Sequence, residues 1–401
     1  MTQKKIKLGV IGYGSRIYHV LRYLCKLHHE ASVVAIVDPR VEEIKEKMAT
    51  EGETRLIENL GKDYKNLQFF DSLEEMMNQS EVDGLLIGTR CNTHTDLAIE
   101  AMKYQIPLFL EKPVSTTVDQ VKRLHQASKS YKSEAVISFP LRMSRFAKKS
   151  KDLVDAGEIG KVLQIEAYNH VTYGSVYFHE HYRDFEETGG LWLQKATHDL
   201  DVISYILSSR AKSVAAMHTV HKVFGGNKPK GLTCDQCDQF ETCPESPFFD
   251  YYHRSGDDVM GDTKQLCAFG EDVGNLEDQG SALIEYECGT QVSYTQNFYV
   301  KNKPARGLRI FGEKGLIEFD YYTAEIHHTP FHSRDRNTIK VEHSDSHGGG
   351  DPLLAHNFIQ VIRGEEKSKA PLKAGIESAY LCLYCRESAD KRSFLEVPIL
   401  E

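Results

Sequence analysis

Short, mainly apolar runs separated by amphipathic stretches fill the first third of the chain, and no other feature limits its fold as tightly. The runs read KIKLGVIG, SVVAIVD, LQFF, VDGLLIG, IPLFLEKP and EAVISFP. A strand that is apolar on both faces must be covered on both, and the stretches of helical period between these runs supply the cover. The spacing predicts helices over about 16–27 and 41–60, a short one from 73, one from near 94, and one over TVDQVKRLHQAS. Residues 1–138 therefore read as a Rossmann-like α/β domain, a doubly wound parallel sheet.

After Pro140 the pattern changes. A helix over RMSRFAKKSKDLVDAG leads to KVLQIEAYNHV, and alternating runs follow at SALIEYECGTQVSYTQNFYV and ARGLRIFGEKGLIEFDYYTAEIHHTP. The ECGT and GEKG turns are hairpin signals, so residues 139–401 are expected to form an α+β domain with a mixed or antiparallel sheet. Residues 222–275 show no period and read as a long loop excursion.

A net charge of −9 over 401 residues argues against nucleic acid and against an anionic membrane surface as partners. No stretch approaches the roughly 20 apolar residues of a membrane span. MTQKKIKLGVIGYG runs directly into a strand, leaving no room for a secretory signal. A cytoplasmic chain is expected, its nine cysteines reduced or bound to metal rather than paired.

GVIGYGSRIYHVL places Gly12 and Gly14 at a strand-to-helix turn, with Ser15 and Arg16 opening the helix. Backbone without side chains can approach a pyrophosphate there, and free N–H groups at the helix start attract its charge. The third glycine of the dinucleotide fingerprint is replaced by Ile17. Asp38, at the end of the second run, is placed to hold ribose hydroxyls, which favours NAD over NADP; Arg40 works the other way. The competing reading of Asp38 is a helix cap before Pro39.

TGGLWLQKATHDLD, residues 188–201, has helical period, with Leu193, Ala196, Leu200, Ile203 and Leu207 on one stripe. Gln194, His198, Asp201 and Tyr205 share another. Such a stripe is either a solvated face or a catalytic wall.

FLEKP puts Glu111 and Lys112 just past a strand end, where open α/β sheets bind ligands. Together with GVIGYGSR, VDGLLIGTRCNTH, GEIGKV, YRDFEETGGLWLQKATHDLD, FGEKGLIEF and NFIQVIRG, it resembles the Gfo/Idh/MocA family along nearly the whole chain. The resemblance implies an NAD(P)-dependent oxidoreductase of sugars or polyols, an open mixed sheet in the second domain, and a homo-oligomer, a dimer or tetramer. It implies that Lys112 contacts substrate and nicotinamide, that His198 is the acid/base, and that Thr89, His94 and Glu111 approach the cofactor. Arg183, Gln194 and Lys195 fall at substrate positions. An imidazole suits proton transfer near neutral pH, and an ammonium can stabilise a developing alkoxide.

Gln194 departs from the family, where many relatives carry Asp. Asp201 is the expected partner orienting His198, while Lys195 either joins the site or pairs with Asp199. Arg90 is a further departure, and Thr93 with Asp96 reads as a capping box. Two other functions stay open: a redox-neutral sugar-modifying enzyme working through transient oxidation with retained NAD, and a non-catalytic sugar or nucleotide sensor.

LTCDQCDQFETCPES supplies Cys234, Cys237 and Cys243, with Cys267 further along. Four thiolates can hold a tetrahedral metal, so a structural zinc is expected; reduced loop thiols are the alternative. Cys382 and Cys385 read as core, and Asp351 before Pro352 as an ordinary helix start.

Overall fold

A computed structural model describes residues 5–255, 260–341 and 347–400. The first sheet has strands β1 (Ile6–Ile11), β2 (Ala31–Val37), β3 (Gln68–Phe70), β4 (Gly84–Ile87), β5 (Leu108–Leu110) and β6 (Ala135–Ile137). All pair in parallel, in the order β3-β2-β1-β4-β5-β6. β4 and β5 are buried throughout, as strands covered on both faces must be. The order reverses between β1 and β4, the crevice where such sheets take ligands.

Register decides what meets at that crevice. Ile11 lies beside Val37 and Ile87, Ile87 beside Leu110, and Leu110 beside Ile137. The next residue on each strand, Gly12, Asp38, Gly88, Glu111 and Ser138, therefore forms a row along the carboxyl edge. Residues as far as 76 positions apart in the chain, Gly12 and Gly88, become neighbours through pairing alone.

The second sheet is mixed. Its strands are β7 (Val162–His170), β8 (Ala211–Val220), β9 (Glu277–Tyr286), β10 (Gln291–Asn297), β11 (Ala305–Gly312), β12 (Gly315–Asp320), β13 (Glu325–Pro330), β14 (Asn337–Lys340) and β15 (Leu395–Glu396). The order is β14-β13-β12-β11-β7-β10-β9-β8-β15, and only β7 and β10 run parallel. The helix Leu372–Lys391 packs on β8, and its Cys382 and Cys385 are fully buried. The helix Gly350–Ile362 returns to the first domain, packing on the helix Ser15–Leu27 and stacking Phe358 edge-on against Phe109.

Two local expectations are corrected and a third gains detail. The helix expected over 41–60 is two, Val41–Thr50 and Glu53–Leu60, divided at Gly52, which costs helix but suits an N-cap. The stripe of residues 188–201 begins as a π-helix, Trp192–Ala196, before the α-helix Thr197–Leu207. The 222–275 excursion has its own anchors: bridges Lys228–Gly270 and Thr233–Leu266, and Phe224 stacked on Phe178 at 4.2 Å within a small second core. Among the described residues no helix is long and apolar enough to cross a membrane.

Candidate active site

The crevice is built around glycines. Gly12 has φ +82°, and a Cβ there would lie 2.7 Å from Thr89. Gly14 precedes the helix Ser15–Leu27 without a side-chain cap, leaving first-turn N–H groups for an anion. The missing third glycine has a structural counterpart. Ile17 is fully buried against Gly88, where any Cβ would overlap its side chain. Close helix–strand packing, normally allowed by the third glycine, is here allowed by a glycine on the strand instead.

Asp38 is buried, and burial opposes its ionisation. Hydrogen bonds from the Arg40 side chain and from the backbone N–H groups of Arg40 and Tyr13, at 2.9 and 2.8 Å, outweigh this and hold it below the usual carboxylate range. It is not the cap of the next helix, whose N-cap is Arg40. Arg40 stays half-exposed beside it.

Arg16 bridges the two domains. Its guanidinium pairs with Asp351 and lies 3.4 Å from Glu111, with Ser138 at 3.3 Å. Asp351 also bonds His347 at 2.6 Å, so it is part of this network rather than an ordinary helix start; Gly349 is the N-cap. Burial raises the Glu111 carboxyl. His94 is buried with Nδ1 2.8 Å from the Pro113 oxygen and Nε2 3.1 Å from that of Thr89, bracketing the two loops. The Thr93–Asp96 capping box does not form: Thr93 bonds Arg90 and Thr89, and Asp96 pairs with Arg123.

Lys112 donates from Nζ to the main-chain oxygen of Gln194 at 3.0 Å. Burial pushes its ammonium down to about 8. His198 is buried in the facing helix, its ring 6.0 Å from Phe139 and 6.3 Å from His347. Burial, then the charges of Lys112, Arg306, His347 and Lys195, hold it well below the usual imidazole value, so it is neutral at pH 7. Lys112 thus lies near enough for its charge to act on the His198 ring.

Its orientation differs from expectation. Asp201 does not face His198; it is buried against Arg142, whose Nε reaches its oxygens at 3.2 and 3.0 Å. Asp199 does not pair with Lys195. Its oxygens are taken by Arg306 at 2.7 Å, Asn169 at 2.9 Å and Tyr294 at 2.9 Å. His198 Nδ1 has no partner among the described residues. Lys195 turns instead to the Tyr173 hydroxyl, over the rings of Tyr173 and Tyr177. Gln194 spends its side-chain amide on the Thr188 oxygen, 2.9 Å away, and on Cys91 Sγ. Arg183 pairs with Asp272 and the Cys267 carbonyl, clamping the excursion.

The zinc expectation is corrected. Cys234, Cys237, Cys243 and Cys267 line one small cavity with His179 and Glu245. However, among the described residues no three His, Cys, Asp or Glu side chains are arranged to hold a metal. Cys237 turns its thiol to Asp238, and Cys234 accepts from Gln265 at 3.8 Å. Spacing in sequence sets which thiols can meet, not their rotamers.

Sequence reasoning missed Arg306, Arg142 and the role of Asp351. Each lies far in sequence from the motif it serves, and none carries a local signature.

The family model for an oxidoreductase family with an NAD-binding Rossmann fold, Gfo/Idh/MocA, matches residues 6–138, and that for the GFO/IDH/MocA C-terminal domain matches 147–318. The Bacillus subtilis protein YteT is 27% identical over 327 residues, 72% of this chain and 74% of YteT. Myo-inositol 2-dehydrogenase of Thermotoga maritima is 30% identical over 216 residues, which span 53% of this chain and 58% of that enzyme. Among solved structures, levoglucosan dehydrogenase in complex with NADH and levoglucosan superposes with TM-score 0.73 at 16% identity, covering 99% of this chain and 100% of that one. WlbA dehydrogenase from Bordetella pertussis, in complex with NADH and UDP-GlcNAcA, gives 0.70 at 20%, covering 100% and 99%. These two share the fold. With both of its domain models matched, the chain belongs to the Gfo/Idh/MocA family of NAD-binding oxidoreductases.

Proposed function

We propose that this protein is an NAD-dependent dehydrogenase that moves a hydride between nicotinamide and a secondary hydroxyl of a sugar, polyol or glycoside. The observation that carries it is the Lys112–Gln194 bond, which joins the strand end beside the glycine crevice to the wall holding His198. The crevice fits a dinucleotide: Gly12 has no room for a side chain, and the helix after Gly14 presents uncapped N–H groups. Asp38 suits adenosine ribose hydroxyls and repels a 2′-phosphate, supporting NAD over NADP.

Bound NAD supplies the hydride acceptor. Neutral His198 accepts the hydroxyl proton through a ring nitrogen lone pair, while Lys112 donates to the same oxygen as charge develops on it. Thr89, His94 and Glu111 shape the cofactor side; Gln194 and Lys195 shape the substrate side. Arg183 acts on substrate through the segment it clamps. We also place the protein in the cytoplasm as a homo-oligomer, a dimer or tetramer, on the family's pattern.

The test is mass spectrometry of the purified protein for retained NAD(H), paired with a polyol, sugar and glycoside panel read at the NADH absorbance. Net NAD reduction by a sugar supports the dehydrogenase. Retained cofactor with substrate conversion but no net reduction would replace it with the redox-neutral reading, and binding without conversion would replace it with a sensor.

A further inference from the structure

Two cationic groups lie together in the substrate wall without a shared counter-ion. Lys195 is only 7% exposed, and among the described residues its ammonium meets the Tyr173 hydroxyl and the two tyrosine rings, at 4.5 and 5.4 Å, but no carboxylate. Asp199, the nearest acid acting on it, is already saturated by Arg306, Asn169 and Tyr294. Arg306 enters from β11, where register sets it beside Asn169. It gives Nε to Asp199, and its Nη2 is buried with no hydrogen-bond partner among the described residues.

Burying an ammonium and a guanidinium N–H without an acceptor is costly, and their mutual repulsion in low dielectric adds to the cost. Burial, then Arg306, push the Lys195 amine down to about 7. An arrangement of this kind is relieved by an anion that arrives with the ligand. Tyr173 is half-exposed, so the cluster opens to solvent beside it, and Lys195 follows directly after Gln194, the residue bonded to Lys112.

We propose that Lys195, Arg306 Nη2 and the Tyr173 hydroxyl form a subsite for a carboxylate on the substrate, so that the sugar oxidised is a sugar acid of the uronate type. The inference rests on the dehydrogenase reading above and adds the substrate's charge. A carboxylate offers two oxygens, matching one ammonium and one guanidinium N–H; charge-assisted bonds of this kind are the strong ones.

The experiment measures kcat/KM of the full-length protein with NAD for glucuronate, galacturonate and their methyl glycosides, against glucose, galactose, their methyl glycosides and glucose 6-phosphate. One of the acids is expected to exceed its neutral parent by about 10- to 100-fold, the range of one or two charge-assisted hydrogen bonds. Lys195→Met should remove most of that preference through KM, and Lys195→Arg should restore part of it. As a second readout, calorimetry in two buffers at pH 8 should show proton uptake when the acid binds. The amine is then largely neutral amid Arg306, Asp199, Lys112, His198, Tyr173 and Tyr177, and is charged by pairing. Equal efficiency on acid and neutral sugars, or a preference for the phosphate, overturns the carboxylate subsite while leaving the dehydrogenase standing. Loss of kcat alone on every substrate in Lys195→Met also overturns it. No NAD reduction by any sugar, charged or neutral, overturns the dehydrogenase itself.

Discussion

Lys112 Nζ reaches the main-chain oxygen of Gln194 across 82 residues of sequence, at 3.0 Å. The contact fixes the distance between the strand end that borders the cofactor crevice and the helix that carries His198. A group on either side alone could bind a sugar; together they can act on one oxygen.

On the proposed mechanism both groups are needed mainly in the transition state. His198→Ala and Lys112→Ala should each lower kcat by about 10²- to 10⁴-fold while NADH affinity, measured by fluorescence titration, changes little. The losses should not multiply in the double variant, since both act on one atom. Near-normal turnover in His198→Ala would assign the proton to another group.

The pH profile follows from the same pair. Lys112 is charged below about 8 and loses its proton above, so kcat/KM should fall as pH rises through that value. His198 is held well below its usual value, so no acid limb should appear near pH 6.5. Initial rates across pH 5 to 10, with Lys112→Arg moving the alkaline fall upward, check both limbs.

Lys195 should cost stability. Its folded value of about 7 lies below the ordinary lysine value of 10.5, so between these the unfolded chain binds a proton that the folded one lacks. Stability should therefore rise with pH across that window. Lys195→Met should raise Tm at pH 7 and lose this advantage toward pH 10; calorimetry that finds a lower Tm would refute the unpaired-charge description.

Asp38→Ala should weaken NAD binding with secondary structure intact, because on the proposed reading the carboxylate meets the ribose hydroxyls, and it also holds the Tyr13 N–H of the glycine turn at 2.8 Å. Arg40→Ala should lower any use of NADP more than of NAD. Cofactor titrations of the two variants settle the matter; unchanged affinity in Asp38→Ala would reduce Asp38 to a structural clamp.

Gly88→Ala should destabilise the first domain by about 1–3 kcal/mol, the usual cost of overpacking, because its new methyl overlaps Ile17. Adding Ile17→Ala should recover part of the loss. Denaturant melts of the single and double variants measure the coupling.

The parallel sheet, the glycine turn and the strand-end position of Asp38 were legible because their signals are local; Lys112 and His198 were singled out through the family resemblance. Apolar runs, period and a short motif each report on a few consecutive residues. Asp201 was misread for the opposite reason. It is three residues from His198 on the same helix, but Arg142, 59 positions earlier, has the better geometry for it. The thiols of 234–267 were read as a ligand set from spacing alone, and side-chain rotamers, which spacing does not specify, turned Cys237 toward Asp238.

By itself, the sequence determined the α/β and α+β plan and the glycine turn after the first strand. Only the tertiary structure decided the partners of the side chains. Strand register placed Gly12, Asp38, Gly88, Glu111 and Ser138 in one row, and set Arg306 beside Asn169. Competition for Asp199 then went to Arg306, Asn169 and Tyr294, leaving Lys195 without a carboxylate among the described residues. Ion-pair choice depends on which groups long-range packing brings within about 3 Å in a dry environment, and no local window of sequence contains that information.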